Sequence, residues 1–202
     1  MNPASPRMRP SQAGWIEVIT GGMFSGKSEE LIRRLRRAKI ARQRVQIFKP
    51  GIDDRYSETE IVSHDRSRVE SEGVDDVLSM RRALLPDTQV IGIDEAQFLG
   101  RGLVEFCVEM ADRGRRVIVA GLDMDYRGEP FEPMPQLLSV AEEITKTHAV
   151  CLVCGAAALF SQRIVEGGER VMVGAEEVYE PRCREHFQRP EPNAEMPGRE
   201  AE

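Results

Sequence analysis

The chain has 202 residues, 41% of them hydrophobic and 31% charged, and its formal net charge is −6. This length allows one well-packed core and a small additional unit. The negative charge argues against a protein that coats DNA or RNA, because binding to these polymers depends on neutralising phosphates. No membrane span is expected, since no run of about eighteen residues is apolar. The first residues lack the apolar block of a secretory signal, so four cysteines in a cytoplasmic protein are expected to stay reduced.

Strands and helices alternate along most of the chain. In chain order, the sequence predicts a strand at Trp15–Thr20, a helix at Ser28–Gln43, a strand at Arg44–Phe48, a short strand at Ile61–Ser63, a helix at Asp75–Leu85, a strand at Val90–Asp94, a helix at Leu103–Gly114, a strand at Arg116–Asp123, a helix at Pro135–Ile144 and a strand at Thr147–Leu152. This order favours a three-layer α/β/α domain with a parallel sheet.

The character of the sequence changes after residue 150. Segments there become short, strands become weak, and Gly167 with Gly168 marks a turn. We therefore expect an α/β domain at 14–150 and a small β-rich domain at 151–188. The ends, 1–13 and 189–202, are rich in proline or glutamate and are expected to be loose.

A phosphate-binding loop is predicted between the first strand and the first helix. Gly21, Gly26, Lys27 and Ser28 fit the pattern G-x-x-x-x-G-K-[ST], in the strand–loop–helix context that the pattern requires. Glycines let the backbone N–H groups surround a phosphate, Lys27 reaches the outer phosphates, and the Ser28 hydroxyl binds Mg²⁺. The residues expected to bind the nucleotide in this loop are Gly21, Gly22, Met23, Phe24, Ser25, Gly26, Lys27 and Ser28.

A second acidic site follows the predicted strand Val90–Asp94. Asp94 ends this apolar run, so its carboxylate is expected at the carboxyl edge of the sheet, where α/β proteins bind ligands. An acidic pair after a strand can also be a solvated loop start, but the phosphate loop favours a metal role. We expect Asp94 to share Mg²⁺ with Ser28, and Glu95, Ala96 and Gln97 to lie beside the nucleotide. The first domain is therefore predicted to bind Mg²⁺ and a nucleoside triphosphate such as ATP.

The small domain contains two pairs of metal-binding residues. Cys151 and Cys154 form one C-x-x-C pair, and Cys183 and His186 form a C-x-x-H pair. Two such pairs predict a four-coordinate structural zinc site, which would stabilise a segment with little apolar core. Cys107 stands alone in a predicted helix and is expected to be buried without a ligand role.

Seven segments between Gly14 and Gln188 together resemble one family, the type II thymidine kinases. They are GGMFSGKS, KPGIDDRY, SHD, DEAQF, GLDMDYRGEPF, AVCLVC and VYEPRCREH. The resemblance implies transfer of the γ-phosphoryl of ATP to the 5′-hydroxyl of thymidine, with deoxyuridine also accepted, in a cytoplasmic homotetramer. Two departures are Gly22, where many members have another small residue or proline, and His186, where others have cysteine.

The resemblance also implies roles for individual residues. Glu95 is similar to the family's general base, and Arg55 to a residue near the phosphates, although Arg55 could instead be a loop arginine with a surface partner. Tyr179 is expected to support the sugar or the lasso, a loop that closes over the base and corresponds here to Met172–Cys183. Apolar side chains at four positions match the base pocket: Met23, Leu122, Tyr126 and Phe131. From the residues alone, Tyr126 and Phe131 fit the core equally well. Backbone groups of five residues are expected to pair with the thymine: Val171, Met172, Val173, Gly174 and Ala175.

Two other classes of function are compatible with parts of the sequence. DEAQ is similar to a helicase motif, which suggests a nucleic-acid-stimulated ATPase, but such enzymes need two α/β domains. A zinc module that uses nucleotide as a switch is the other class. The first helix is rich in arginine, at Arg33, Arg34, Arg36 and Arg37. We expect a solvated face or a subunit contact there, and neither a nucleic-acid polymer nor a membrane as partner, because the chain is acidic.

Overall fold

A computed structural model describes residues 13–51, 60–62, 68–165 and 177–190. In chain order its elements are β1 (Trp15–Thr20), α1 (Lys27–Ile40), β2 (Val45–Pro50), β3 (Glu60–Val62), β4 (Arg68–Glu70), β5 (Glu72–Val74), α2 (Val77–Ala83), β6 (Val90–Ile93), α3 (Gly102–Asp112), β7 (Arg116–Gly121), α4 (Met134–Val140), β8 (Glu143–Lys146), β9 (Ala149–Val150), β10 (Ala157–Ala158), β11 (Phe160–Arg163) and β12 (Tyr179–Arg182). Among the described residues, none of the helices has the length and apolar character needed to cross a bilayer.

Six strands form one parallel sheet in the order β5-β2-β6-β7-β1-β8. Strand β7 therefore lies between β1, which leads into the phosphate loop, and β6, which leads into Asp94. Because the strands are parallel, the ends of β1, β6 and β7 meet at the same edge of the sheet. The predicted parallel sheet is confirmed, and its topology brings the two predicted nucleotide-binding segments together.

Apolar side chains cover both faces of the sheet. On β7, Val117 and Val119 belong to the cluster that includes Phe106 of α3, whereas Ile118 belongs to the cluster that includes Leu35 of α1. Successive side chains of a strand point to opposite faces, so a strand buried on both faces is apolar throughout. This arrangement confirms the predicted three layers, with α1 on one side and α2, α3 and α4 on the other.

The sixth strand of the sheet lies where a helix was predicted. The helix predicted at Pro135–Ile144 is wrong in its second half, because α4 ends at Val140 and Glu143–Lys146 pairs with β1 as strand β8. The predicted strand Thr147–Leu152 is reduced to β9, which pairs with β10 outside the main sheet. As an edge strand, β8 exposes Glu143, Ile144 and Lys146, so it lacks the apolar run that identifies a buried strand.

A buried ion-pair cluster joins β1, β7 and α1. Glu17 is 2% exposed and accepts hydrogen bonds from Arg34 at 2.6 Å, Arg116 at 2.6 Å and the Trp15 indole at 2.7 Å. Burial alone would raise the pKa of Glu17, but Arg116, Trp15 and Arg34 together hold it below its ordinary value. Arg34 is thus a largely buried partner of Glu17, which corrects its expected place on a solvated face, whereas Arg33 remains exposed.

A second, smaller unit follows the sheet and corresponds to the predicted β-rich domain. It contains two small antiparallel strand pairs, β9 with β10 and β11 with β12. Its buried cluster consists of Ala149, Cys151, Ala158 and Cys183, with Phe24 of the phosphate loop packed against it. Phe160 and Phe187 stack nearby with ring centroids 4.3 Å apart. The predicted small β-rich unit is therefore present, and its own apolar core is small.

Candidate active site

The phosphate loop connects β1 to α1 through positions with positive φ. Gly21 and Gly26 have φ of 147° and 81°, and Phe24 has φ of 62°. A Cβ on Gly21 would lie 2.4 Å from the Thr147 carbonyl oxygen, so this position requires glycine. Among the described residues, no side chain caps the first turn of α1. Its first N–H groups therefore remain available to an anion.

Lys27 lies almost fully buried inside this loop. Its ammonium donates to the Gly22 carbonyl oxygen at 2.8 Å, and the residue is 9% exposed. Burial lowers the pKa of Lys27, and the charges of Glu95, Asp94 and Asp123 oppose this shift. These carboxylates favour the charged lysine that a triphosphate requires.

Asp94 and Ser28 form a pair of oxygen ligands at the same edge of the sheet. The Ser28 hydroxyl donates to Asp94 Oδ2 at 3.0 Å, and Asp94 is 5% exposed. Burial and the neighbouring Glu95 raise the pKa of Asp94 to about 7, against the hydrogen bond from Ser28. Because a divalent cation favours the ionised carboxylate, this oxygen pair fits the Mg²⁺ site that the sequence predicts.

Glu95 faces a different partner from Asp94. Its backbone is left-handed, with φ of 49°, and its carboxylate accepts a hydrogen bond from the Gln97 side-chain amide at 2.6 Å. The Gln97 amide oxygen in turn accepts from the Leu122 backbone N–H at 3.0 Å. Gln97 therefore orients Glu95 and ties the end of β6 to the segment after β7, while Ala96 begins a short 3₁₀ helix beneath them.

The four predicted base-pocket residues are all partly buried, at Met23, Leu122, Tyr126 and Phe131. Neither of the two aromatic residues is therefore fully buried in the core. The guanidinium carbon of Arg163 lies 3.7 Å from the Tyr126 ring centroid, and Arg163 donates to the Tyr179 hydroxyl at 3.0 Å. Arg163 cannot be identified from the sequence, because its cross-strand pairing with Tyr179 appears only in the folded β11–β12 pair.

Some predicted site residues lie outside the described part of the chain. They are Arg55 and the proposed thymine-binding residues Val171, Met172, Val173, Gly174 and Ala175. The described strands β11 and β12 flank the segment that contains these five residues.

The four predicted metal ligands come together in the second unit. The ligand atoms of Cys151, Cys154, Cys183 and His186 all lie within 4.8 Å of one another. Cys154 Sγ lies 3.7 Å from Cys183 Sγ, which lies 3.2 Å from His186 Nδ1. Sulfur atoms on a zinc tetrahedron are about 3.8 Å apart, since Zn–S bonds are about 2.3 Å. His186 also lowers the pKa of the Cys183 thiol and so favours the thiolate that binds metal. The donor set and its spacing fit zinc.

The second unit contacts the phosphate loop directly. The Met23 backbone N–H donates to the Ser161 hydroxyl at 2.9 Å, and a Cβ on Gly22 would lie 2.9 Å from the Leu159 carbonyl oxygen. Phe24 packs against the cluster that contains Cys151 and Cys183. The shape of the loop therefore depends on the unit that holds the metal ligands. The sequence alone did not identify Ser161.

Asp123 is a further acidic residue at this edge of the sheet. It follows β7 and is 7% exposed, and its Oδ2 lies 2.6 Å from the Lys146 ammonium. Asp123 ends the predicted strand Arg116–Asp123, as Asp94 ends the predicted strand Val90–Asp94. This position at the end of a strand is the sequence signal that could have identified Asp123 as a site residue.

Comparison with known proteins gives consistent matches along the chain. The family model for thymidine kinase matches residues 14–187. A thymidine kinase of Bdellovibrio bacteriovorus is 55% identical over 181 residues, which cover 90% of this chain and 88% of that protein. A thymidine kinase of Rhodothermus sp. is 58% identical over 182 residues, or 90% of this chain and 84% of its own. A thymidine kinase of Bacteroides fragilis is 53% identical over 176 residues, which cover 87% of this chain and 88% of that protein. The chain therefore belongs to the thymidine kinase family.

Proposed function

We propose that this kinase transfers the γ-phosphoryl group of ATP to the 5′-hydroxyl of thymidine, giving thymidine monophosphate. Deoxyuridine is a second expected substrate. The observation that carries the proposal is the division of roles between two adjacent carboxylates. Asp94 is hydrogen-bonded to Ser28 of the phosphate loop, whereas Glu95 is held by Gln97 on the side of Leu122. This geometry supports separate roles for the two residues, with Asp94 proposed as a metal ligand and Glu95 as a general base.

The phosphate loop and Lys27 bind the triphosphate. The backbone N–H groups at the start of α1 donate hydrogen bonds to the phosphate oxygens, and the Lys27 ammonium moves from the Gly22 carbonyl oxygen to the outer phosphate oxygens. Ser28 and Asp94 hold Mg²⁺, which when bound neutralises charge on the phosphate oxygens. Arg55 supplies a further positive charge near the phosphates in this proposal.

Glu95 acts on the second substrate. As the 5′-oxygen forms its bond to the γ-phosphorus, the bond from phosphorus to the β–γ bridging oxygen breaks and ADP leaves. The Glu95 carboxylate accepts the proton of the attacking hydroxyl. Gln97 fixes the direction of this carboxylate through the 2.6 Å hydrogen bond, so positioning contributes as well as basicity.

The nucleoside is proposed to bind between the sheet domain and the second unit. Met23, Leu122, Tyr126 and Phe131 give the base an apolar surface, and Tyr179 supports the sugar. Arg163 links Tyr126 to Tyr179 and so joins the two sides of this pocket. Backbone groups of residues 171–175 pair with the thymine edge and exclude water, which limits wasteful hydrolysis.

The remaining parts of the proposal concern organisation. Zinc at Cys151, Cys154, Cys183 and His186 has a structural role and anchors the segment between β11 and β12. We propose domain limits at 14–150 and 151–188 because the character of the sequence changes near residue 150. The homotetramer is what the resemblance to type II thymidine kinases implies, and a cytoplasmic location is proposed with it. Sedimentation of the zinc-loaded protein measures the subunit number.

The activity test uses the full chain with ATP, Mg²⁺ and thymidine, and follows thymidine monophosphate by chromatography. Product without added polynucleotide is the expected result. As a control, 5′-deoxythymidine lacks the attacking hydroxyl and must give no monophosphate. ATP hydrolysis only with added RNA or DNA, or ATP binding with no product, would contradict the proposal. The family match does not favour the polynucleotide-dependent alternative.

A further inference from the structure

Asp123 occupies a central place at the ligand-binding edge of the sheet. In the register of the strands, Gly121 of β7 lies opposite Thr20 of β1, and Val119 lies opposite Ile93 of β6. Asp123 follows two residues after Gly121, between the strand that leads into the phosphate loop and the strand that leads into Asp94. Its side chain therefore belongs to the same edge as both.

Only one oxygen of the Asp123 carboxylate has a partner among the described residues. Oδ2 pairs with the Lys146 ammonium at 2.6 Å, whereas Oδ1 is buried and accepts no hydrogen bond there. With the residue 7% exposed, an acceptor without a partner costs about 1–3 kcal/mol. A buried acceptor kept at such a cost is explained if it meets a donor that arrives with a ligand.

Lys146 holds this carboxylate from the other side of the phosphate-loop strand. It ends β8, opposite Thr20 of β1, so the Asp123–Lys146 ion pair crosses the end of β1 just before the loop begins. Asp123 is thus fixed in place at the edge of the sheet where the phosphate loop begins.

The chemistry of the nucleotide limits which donor can reach Oδ1. Phosphate oxygens at neutral pH accept hydrogen bonds and repel a carboxylate. The donors that a nucleotide brings to its phosphate end are the waters that Mg²⁺ keeps when it binds one or two protein ligands, because the ribose hydroxyls and the adenine amino group lie farther along the molecule. We propose that Asp123 is a positioning residue whose Oδ1 accepts a hydrogen bond from a water on the nucleotide-bound Mg²⁺, with Lys146 fixing its direction. This inference rests on the proposed Mg²⁺ site at Ser28 and Asp94.

The test compares the parent with Asp123→Asn and Lys146→Gln by calorimetric titration with ADP, in EDTA and in a series of Mg²⁺ concentrations. In Asp123→Asn, the amide oxygen turns to Lys146 and the NH₂ group faces the water site, where it cannot accept a hydrogen bond. The gain in ADP affinity caused by Mg²⁺ should therefore fall about tenfold, with metal-free ADP affinity unchanged. Lys146→Gln keeps the carboxylate, and its amide NH₂ group can still donate to Oδ2 and fix the direction of Oδ1, so this variant should retain the full gain. Both variants lose the Asp123–Lys146 ion pair, so their melting temperatures should fall by similar amounts. A loss of stability therefore cannot explain a difference in the Mg²⁺-dependent gain between them.

Several results would overturn the inference. The first is an equal Mg²⁺-dependent gain in Asp123→Asn and the parent. The second is a change in ADP affinity that is the same with and without metal, which would show that Asp123 acts on nucleotide binding independently of Mg²⁺. Asp123→Ala, which has no acceptor, carries the same expectation where the asparagine variant does not fold. If the parent shows the gain and Asp123→Asn retains it, only this inference fails; a parent that binds no ADP would contradict the proposed function as well.

Discussion

The sheet domain and the metal-ligand unit, which is the second unit that holds Cys151, Cys154, Cys183 and His186, are stabilised in different ways. In the sheet domain, large side chains such as Phe48, Phe106 and Ile118 are fully buried between sheet and helices. In the metal-ligand unit, the buried cluster among the described residues consists of Ala149, Cys151, Ala158 and Cys183, with Phe24 beside it, and Leu152 is 67% exposed. Apolar burial therefore stabilises the first region, whereas we propose that a metal bound by its four ligands stabilises the second.

This difference also separates the proposed chemical roles. The carboxylates Asp94, Glu95 and Asp123 follow strands of the rigid sheet, where their positions are fixed by pairing. The metal-ligand unit contributes contacts that shape the phosphate loop, through Ser161 and the packing of Phe24. Zinc would thus act on catalysis indirectly, by holding the surface on which the loop and the nucleoside pocket rest.

The largest effect is expected from removing one metal ligand. Cys154→Ala should release zinc and unfold the metal-ligand unit, because structural zinc contributes about 10–16 kcal/mol to small sites. The sheet domain should stay folded, with its amide hydrogens still protected. Atomic emission measures the zinc content, and hydrogen exchange followed by mass spectrometry measures the protection of the sheet domain. Zinc content equal to the parent would exclude this ligand set, and loss of protection in β1 and β7 would show that the two regions are not independent.

A core truncation should show the opposite pattern. Phe106→Ala should lower the free energy of unfolding of the sheet domain by about 3–5 kcal/mol, because it leaves a cavity at a fully buried position. Leu152→Ala, in the exposed part of the metal-ligand unit, is the matched control and should change it by less than about 0.5 kcal/mol. Urea unfolding with zinc present gives both values. Similar losses in the two variants would contradict the contrast between the regions.

The buried ion pairs give a pH-dependent effect on the sheet domain alone. Glu17→Gln should lower the free energy of unfolding by about 3 kcal/mol near neutral pH, because Arg116 loses its buried counter-charge. The pKa of Glu17 lies below its ordinary value of 4.5, so its contribution is present above pH 4.5 and disappears as the pH falls through the lower folded value. The difference between parent and variant should therefore shrink in acid. A difference that does not change with pH would refute this account of the cluster.

The smallest effect concerns the contact between the two regions. Ser161→Ala removes the acceptor of the Met23 N–H and should cost about 1 kcal/mol, with ADP affinity reduced about fivefold. Ser139→Ala removes an exposed hydroxyl that donates to the Pro135 carbonyl oxygen within α4, and should leave ADP affinity unchanged. Calorimetry with Mg²⁺-ADP compares the two variants. Equal ADP affinities would mean that the metal-ligand unit does not shape the loop.

Local patterns were sufficient for the features that depend on neighbouring residues. The phosphate loop, the acidic strand end at Asp94 and the two short metal-ligand pairs are each encoded within a few positions. The parallel sheet followed from alternation of apolar strands with helices. Strand β8 was missed because edge strands are exposed, and its pairing with β1 is decided by tertiary contacts.

Long-range contacts explain the site features that the sequence did not indicate. Arg34 looks like a surface arginine until Glu17, seventeen positions earlier, is seen buried beside it. Arg163 meets Tyr126 and Tyr179, and Ser161 meets Met23, only after the metal-ligand unit folds against the loop. Such contacts join positions far apart in the chain, and no local spacing predicts them.

The central claim is that a carboxylate held at the sheet edge deprotonates the nucleoside hydroxyl. Its most direct test is the rate of single-turnover phosphorylation by the Glu95→Gln variant. Glutamine can keep the contact with Gln97 but cannot accept the proton, so the rate should fall about 10²–10⁴-fold. Mg²⁺-ADP affinity, measured alongside, should stay within about twofold, because Asp94 and Ser28 are unchanged. A rate within a few-fold of the parent, with the same ADP affinity, would contradict the account.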